Sequence, residues 1–254
     1  RGEDVATMAA GRRKEADLAI QMIFQDPMAS LNPRMRVEEI VGEAPVVHGL
    51  VSAAGRRDYV AETLTRVGLD PAVMGRYPHQ FSGGQRARIG IARALAVKPK
   101  VLVCDEAVAA LDVSIQAQVL NLFMDLRRDL DLTYLFVSHD LGVVEHIADR
   151  VAVMYLGRIV ELAPAQAVFA RPMHPYTQAL LDEVPRLDAR KRAFSALKGE
   201  IPSPLDPPEG CHFHPRCRLA LSACRNGRPP FVTVGEGHTT ACRVTPAMAT
   251  PRVA

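Results

Sequence analysis

Amide, acidic and imidazole side chains end three apolar-rich stretches in this sequence: Gln25 closes Leu18 to Gln25, Asp105-Glu106 follow Val101 to Cys104, and His139 comes after Tyr134 to Val137. Splitting a phosphate ester requires a metal holder, a group that orients the attacking water, and donors for the charge on the terminal phosphate. Asp105, at a strand tip, is placed to hold Mg²⁺ directly or through water. Glu106 is placed to accept a proton from the water, His139 to contact the terminal phosphate, and Gln25 to reach the metal or the water. Each taken singly reads as a strand or helix cap; four of them at strand ends read as a site. A further candidate is Phe81-Ser82-Gly83-Gly84-Gln85, where two glycines after a serine precede the helix-forming run Gln85 to Ala96. The free N–H groups of such a helix start can bind phosphate, although Ser-Gly-Gly-Gln alone is an ordinary turn.

These groups need elements to aim them. Leu18 to Gln25 reads as a strand ending at Asp26-Pro27, and Val37 to Gly75 alternates helical patterns with glycine and proline, as a small helical subdomain would. The helix reaching Ala96 closes at Lys98-Pro99-Lys100. Val101 to Cys104 and Tyr134 to Val137 are continuous apolar runs, the pattern of strands buried on both faces. Between them, Asp112 caps a helix on which Ile115, Val119, Leu122, Phe123, Leu126 and Leu130 form one stripe. Strand, amphipathic helix, strand is a βαβ unit, so the strands run parallel with a right-handed crossover. Their carboxyl ends then share the edge where open parallel sheets place ligands. Arg150 to Leu156 and Arg158 to Ala163 read as a hairpin joined at Gly157, and Pro164 to Arg171 as a short helix. From Pro172 on, prolines cluster at 172, 175, 185, 202, 204, 207 and 208 and four cysteines follow. The expected division is 1–171, with the helical subdomain at about 37–96, and a loop-rich 172–254.

The 254 residues, 48% hydrophobic and 23% charged, can bury a full core plus an appendage. A net charge of +3 with scattered arginines gives nucleic-acid binding little support. No apolar stretch approaches the roughly 18 to 20 residues that span a bilayer, so a membrane role would be peripheral. The chain opens at Arg1, and Arg1 to Ala19 lacks the apolar core of a secretory signal; it reads as a fragment or a trimmed chain.

In order along the chain, these motifs resemble those of the nucleotide-binding subunit of an ATP-binding cassette (ABC) transporter, more narrowly of the oligopeptide/dipeptide importer branch. Gln25 in Ile23-Phe24-Gln25-Asp26-Pro27 resembles the Q-loop, Phe81 to Gln85 the signature, Val101 to Glu106 the Walker B strand, Ala110-Leu111-Asp112 the D-loop, and Ser138-His139-Asp140 the H-loop. His174-Pro175-Tyr176 and the cysteine-bearing tail resemble that branch's C-terminal extension. The resemblance implies an α/β fold, a P-loop NTPase-like ABC ATPase core of mostly parallel sheet with a helical subdomain, truncated at the N-terminus and followed by a loop-rich extension. It implies ATP and Mg²⁺ as cofactors and hydrolysis coupled to peptide uptake. It also implies a second cassette, homologous or identical, whose ATP meets Ser82, Gly83, Gly84, Gln85 and Asp112. Membrane-spanning permease subunits, touched through the segment Asp26 to Pro33, and indirectly a solute-binding protein complete the assembly at the cytoplasmic face of the membrane. Two departures stand out. No G-x-x-x-x-G-K-[ST] loop occurs in the 254 residues, so the chain by itself is expected to bind ATP weakly and to be inactive alone. Ala107-Val108-Ala109 stands where the family usually has a proline and a serine, which would loosen the turn after Glu106.

Cys211, Cys217, Cys224 and Cys242 are separated by five, six and seventeen residues. Zinc sites usually show a pair at two to four spacing; four thiolates suit a four-iron cluster, although not at a common ferredoxin spacing. Members of the resembling branch carry a cysteine set here and some hold a [4Fe-4S] cluster, which implies the same assignment. Disulfides are the rival, disfavoured in a cytosolic setting. Cys104 reads as a small buried hydrophobe, and His212 and His214 as solvent-facing or supporting residues rather than ligands. Other functions remain in view: a non-catalytic half that supplies only the signature, and a DNA-associated cassette ATPase. The 56 residues between Gln25 and Ser82 are too few for the coiled coil or zinc modules of the latter.

Overall fold

The computed structural model describes residues 3–26, 29–183 and 199–244; Pro27 and Met28 of the segment 26–33, and Pro185, lie outside the described residues. The chain forms two compact units, Arg1–Asp140 and Leu141–Ala254. The boundary expected at 171 follows composition, whereas the units follow backbone pairing.

In the first unit, strong helix formers make α1 (Ala10–Ala19), which buries no side chain. Its lack of an apolar stripe hid it from the periodicity reading. Because α1 absorbs Leu18 and Ala19, the first strand is shorter than expected, β1 (Ile20–Ile23). Three helices follow, α2 (Val37–Val47), α3 (Arg56–Arg66) and α4 (Gly83–Leu95), packed through Val37, Val41, Val60, Leu64, Ile89 and Ile91, all essentially inaccessible. Then come β2 (Val101–Asp105), α5 (Val113–Leu130) and β3 (Thr133–Val137). The three strands are parallel in the order β1-β2-β3, with Ile20 beside Val101 and Val101 beside Thr133.

Burial on both faces does not hold for these strands. Leu102 and Cys104 are inaccessible, but Leu135 and Val137 are 59% and 46% exposed. Among the described residues of this unit, helices cover one face of the sheet: Phe123 of α5 meets Tyr134 and Phe136 edge-on, and the Tyr134 hydroxyl donates to the Phe123 carbonyl at 2.7 Å. A continuous apolar run cannot say how many of its faces find a partner. Asp112 occupies the N-cap of α5, but its side chain makes no capping hydrogen bond.

In the second unit, α6 (Leu141–Ile147) precedes the hairpin β4 (Arg150–Tyr155) and β5 (Arg158–Pro164). Leu156 and Gly157 at its tip have φ of 42° and 72°, the left-handed pair of a tight hairpin. After α7 (Ala165–Ala170) and α8 (Pro175–Glu183), the tail contributes β6 (Val232–Gly235) and β7 (His238–Thr240), completing an antiparallel sheet in the order β4-β5-β7-β6. Val151, Val153, Tyr155, Val160 and Phe213 form its core. No helix among the described residues is long and apolar enough to cross a membrane.

Candidate functional site

Three parallel strands must end on one edge, and here that edge carries Gln25 after β1, Asp105-Glu106 at the end of β2 and His139 after β3. Three of the four meet. Gln25 Nε2 donates to Glu106 Oε2 at 2.6 Å, and His139 Nδ1 lies 3.0 Å from Glu106 Oε1. The carboxylate is thus held at both oxygens, from the strand on either side of its own. The Glu106 side chain is 24% exposed and that of His139 72%, so water reaches the group.

The backbone aims this carboxylate. Glu106 has φ of 46°, a left-handed conformation costing a non-glycine residue about 1–3 kcal/mol and concentrated at working sites. Its N–H donates to the Val137 carbonyl at 3.0 Å, extending the ladder one residue beyond the β2–β3 strand pairing. The turn behind it is held despite having no proline: Ala109 N–H donates to the Glu106 carbonyl at 3.0 Å, and Ala107 and Val108 are buried. Buried methyl groups and a turn hydrogen bond support this backbone in place of a proline ring. Asp105, paired with Val137, is the last β2 residue. Nucleotide-bound Mg²⁺ takes one or two carboxylates and completes its shell with phosphate oxygens and water, so a single Asp105 fits that ion. Among the described residues no group of three or more His, Cys, Asp or Glu is arranged to hold a metal ion by itself.

Ser82 to Gln85 form a second place. Ser82 is the N-cap of α4: its Oγ accepts from Gln85 N–H at 3.3 Å and its N–H donates to Gln85 Oε1 at 3.0 Å, a reciprocal capping box. Ser82 and Gly83 are exposed. Gly84 is there for close approach, since a Cβ on it would lie 2.5 Å from Ile115 Cγ2, whereas one on Gly83 would make only ordinary contact, 3.7 Å from Leu111 Cδ2. The start of α4 therefore rests on Leu111, beside Asp112, and on the first turn of α5. Asp140 accepts from Gln116 Nε2 at 3.3 Å, tying the segment after His139 to the same helix.

Sequence reasoning missed Arg93. Its Nη1 donates to the Ser30 carbonyl, and burial lowers its pKa from the ordinary arginine value. It lines a cavity with Ile23, Phe24, Ser30 and Ala107, linking α4 to the loop that carries Gln25. The only signal was a basic residue on the apolar side of a helix.

In the second unit the other four cysteines of the chain, Cys104 apart, gather: Cys211, Cys217, Cys224 and Cys242 are free and line one cavity with His174 and Phe213. The Val244 N–H donates to the Cys242 sulfur at 3.3 Å, and the His214 N–H donates to the Cys211 carbonyl at 2.9 Å. Burial pushes the Cys211 and Cys217 thiols up and that of Cys242 to about 11. His212 is not solvent-facing: it is buried, with Nδ1 3.1 Å from the Leu156 carbonyl.

Residues 1–109 match the family described as ABC transporter, and residues 160–224 the one described as oligopeptide/dipeptide transporter, C-terminal region. The chain is 50% identical to a probable peptide ABC transporter ATP-binding protein of Sinorhizobium fredii, over 96% of this chain and 69% of that protein. It is 50% identical to the oligopeptide transport ATP-binding protein AppF of Bacillus subtilis, over 96% and 75%. Among solved structures, cbiO1 of Clostridium perfringens, part of the ABC transporter complex cbiONQ, superposes with a TM-score of 0.56 at 28% identity over 63% of each chain.

Proposed function

Because the chain belongs to the ATP-binding proteins of peptide ABC transporters, we propose that it is the subunit that hydrolyses ATP to drive peptide uptake. The observation that carries the reading is the bridged Glu106, held by Gln25 and His139 at the carboxyl ends of three parallel strands. In this reading Glu106 takes the proton of the attacking water, Gln25 orients that water or the metal, His139 contacts the terminal phosphate, and Asp105 holds Mg²⁺. Ser82, Gly83, Gly84 and Gln85, with Asp112 nearby, meet ATP bound by a second cassette, at a helix start whose N–H groups suit phosphate. The exposure of Ser82 and Gly83 supports this. Permease subunits receive the work through the loop that Arg93 ties down, at the cytoplasmic face of the membrane.

In the assembled transporter, Glu106→Gln is expected to lower kcat about 10²–10⁴-fold, the range for loss of a general base, while ATP binding is retained. Unchanged turnover would remove Glu106 from the mechanism. The 254 residues contain no Gly-rich lysine loop, which favours a second reading for these residues taken alone: weak ATP binding of their own, with the signature lent to a partner. An ATPase assay beside a complete cassette separates the two, since a signature donor raises the partner's turnover while Glu106→Gln leaves it unmoved.

We also propose that Cys211, Cys217, Cys224 and Cys242 hold a four-iron cluster. Four free thiols round one cavity, with an amide donor on the Cys242 sulfur, support it. When bound, such a cluster stores an electron and cross-links the loops that carry its ligands.

A further inference from the structure

Among the described residues bordering the cysteine cavity, His174 stands out for a buried ring nitrogen without a partner. His174 is 1% exposed, and its Nε2 makes no hydrogen bond. The other ring nitrogen is committed: Nδ1 accepts from Tyr176 N–H at 3.1 Å. A neutral imidazole carries one N–H, so with Nδ1 accepting, the proton is on Nε2. A buried donor is left without an acceptor, which native interiors rarely allow.

The ring is held in this pose from three sides. The His174 backbone N–H donates to Glu161 Oε2 at 2.9 Å, and Met173 N–H to Glu161 Oε1 at 2.7 Å. Glu161 is itself inaccessible and takes a third bond from His238 Nε2 at 2.7 Å. Phe213, whose neighbours Cys211 and His214 line the same cavity, packs tilted against the imidazole with ring centroids 5.9 Å apart. What this scaffold fixes is an N–H donor in a cavity lined by the four cysteines and also by His214 and Arg243.

Building on the cysteine site proposed above, we infer that His174 Nε2–H donates a hydrogen bond to sulfur of the centre held by Cys211, Cys217, Cys224 and Cys242, and so positions that centre and sets its potential. The bond stabilises negative charge on sulfur, which grows on reduction, so it raises the potential and slows loss of metal. His174 acts here as a positioning residue, not a ligand.

The test uses the full chain, reconstituted anaerobically with ferrous iron and sulfide. Iron and acid-labile sulfide are counted, the midpoint potential is read by spectroelectrochemistry, and the rate of iron loss to a chelator is followed. His174→Phe keeps a ring against Phe213 and removes the N–H; His174→Gln keeps an amide N–H near the Nε2 position. Circular dichroism establishes that each variant is folded. Expected is a chain that takes up iron and sulfide, a Phe variant that loses iron about 10–100-fold faster at a lower potential, and a Gln variant within a few-fold of the parent. A folded Phe variant matching the parent in both readouts overturns the role of His174 and leaves the cysteine site standing. A Gln variant as impaired as the Phe variant assigns the effect to packing and also overturns it. A parent chain that takes up no iron and sulfide, or as much as Cys217→Ser does, sinks the cysteine site and this role with it.

Discussion

Two glutamate–histidine pairs, one in each unit of this chain, differ in almost everything but chemistry. Glu106 and His139 meet at 3.0 Å on the open edge of a parallel sheet, with the imidazole 72% exposed. Glu161 and His238 meet at 2.7 Å inside an antiparallel one, with side chains 0% and 6% exposed. The first pair is open to water and screened; exposed pairs of this kind contribute under about 1 kcal/mol. In the second, the carboxylate also takes two backbone N–H groups, so it ties β5, β7 and the turn before α8 together. Location along a strand decides which: Glu106, at the last ladder bond of β2, faces the open edge, and Glu161, in mid-strand, faces the core.

The largest expected effect comes from the buried pair. Glu161→Ala leaves three buried donors unpaired and should lower unfolding free energy by about 3–5 kcal/mol, read by urea denaturation; a loss below about 1 kcal/mol would erase the contrast. Glu106→Gly relieves a left-handed φ at no Cβ cost, so it should raise stability by about 1 kcal/mol while abolishing turnover. A Gly variant markedly less stable than the parent would mean that Gln25 and His139 bind Glu106 structurally after all. Smaller still, His139→Ala should change stability by under about 1 kcal/mol, measured in the same denaturation series.

The thiols sharpen the comparison through reactivity. Burial in β2 pushes Cys104 up to about 12 from an ordinary 9.0. The unfolded thiol ionises first, so the stability tied to this neutral thiol is intact below pH 9 and is lost as pH rises from 9 toward 12. At about pH 8, below the ordinary thiol range, iodoacetamide followed by mass spectrometry should mark Cys211, Cys217 and Cys242, which are partly exposed, well before Cys104.

Much of the first site was legible because it sits where local patterns end. An apolar run followed by a polar residue marks a strand tip, and the single helix between β2 and β3 makes those two parallel, so Glu106 and His139 had to share an edge; that Gln25, three helices upstream of β2, joins them was decided by packing. The serine and glycines at 82–84 were legible as a helix start. Arg93 and Glu161 were not, since a charge within an apolar pattern looks the same whether it bonds a carbonyl far along the chain or faces water. The tail read as loops because β6 and β7 are four and three residues long, too short to show alternation.

The residues alone determined which chemical groups stand at the ends of which strands, since periodicity and turn chemistry are local properties of the backbone. Only the tertiary structure decided which groups touch: that Glu106 is gripped from both sides, that Leu135 and Val137 of the parallel sheet face outward, and that four thiols separated by up to seventeen residues border one cavity with an imidazole whose Nε2 has no partner. Those are meetings of segments distant in sequence. Their geometry is set by how whole elements pack, which no short window of sequence encodes.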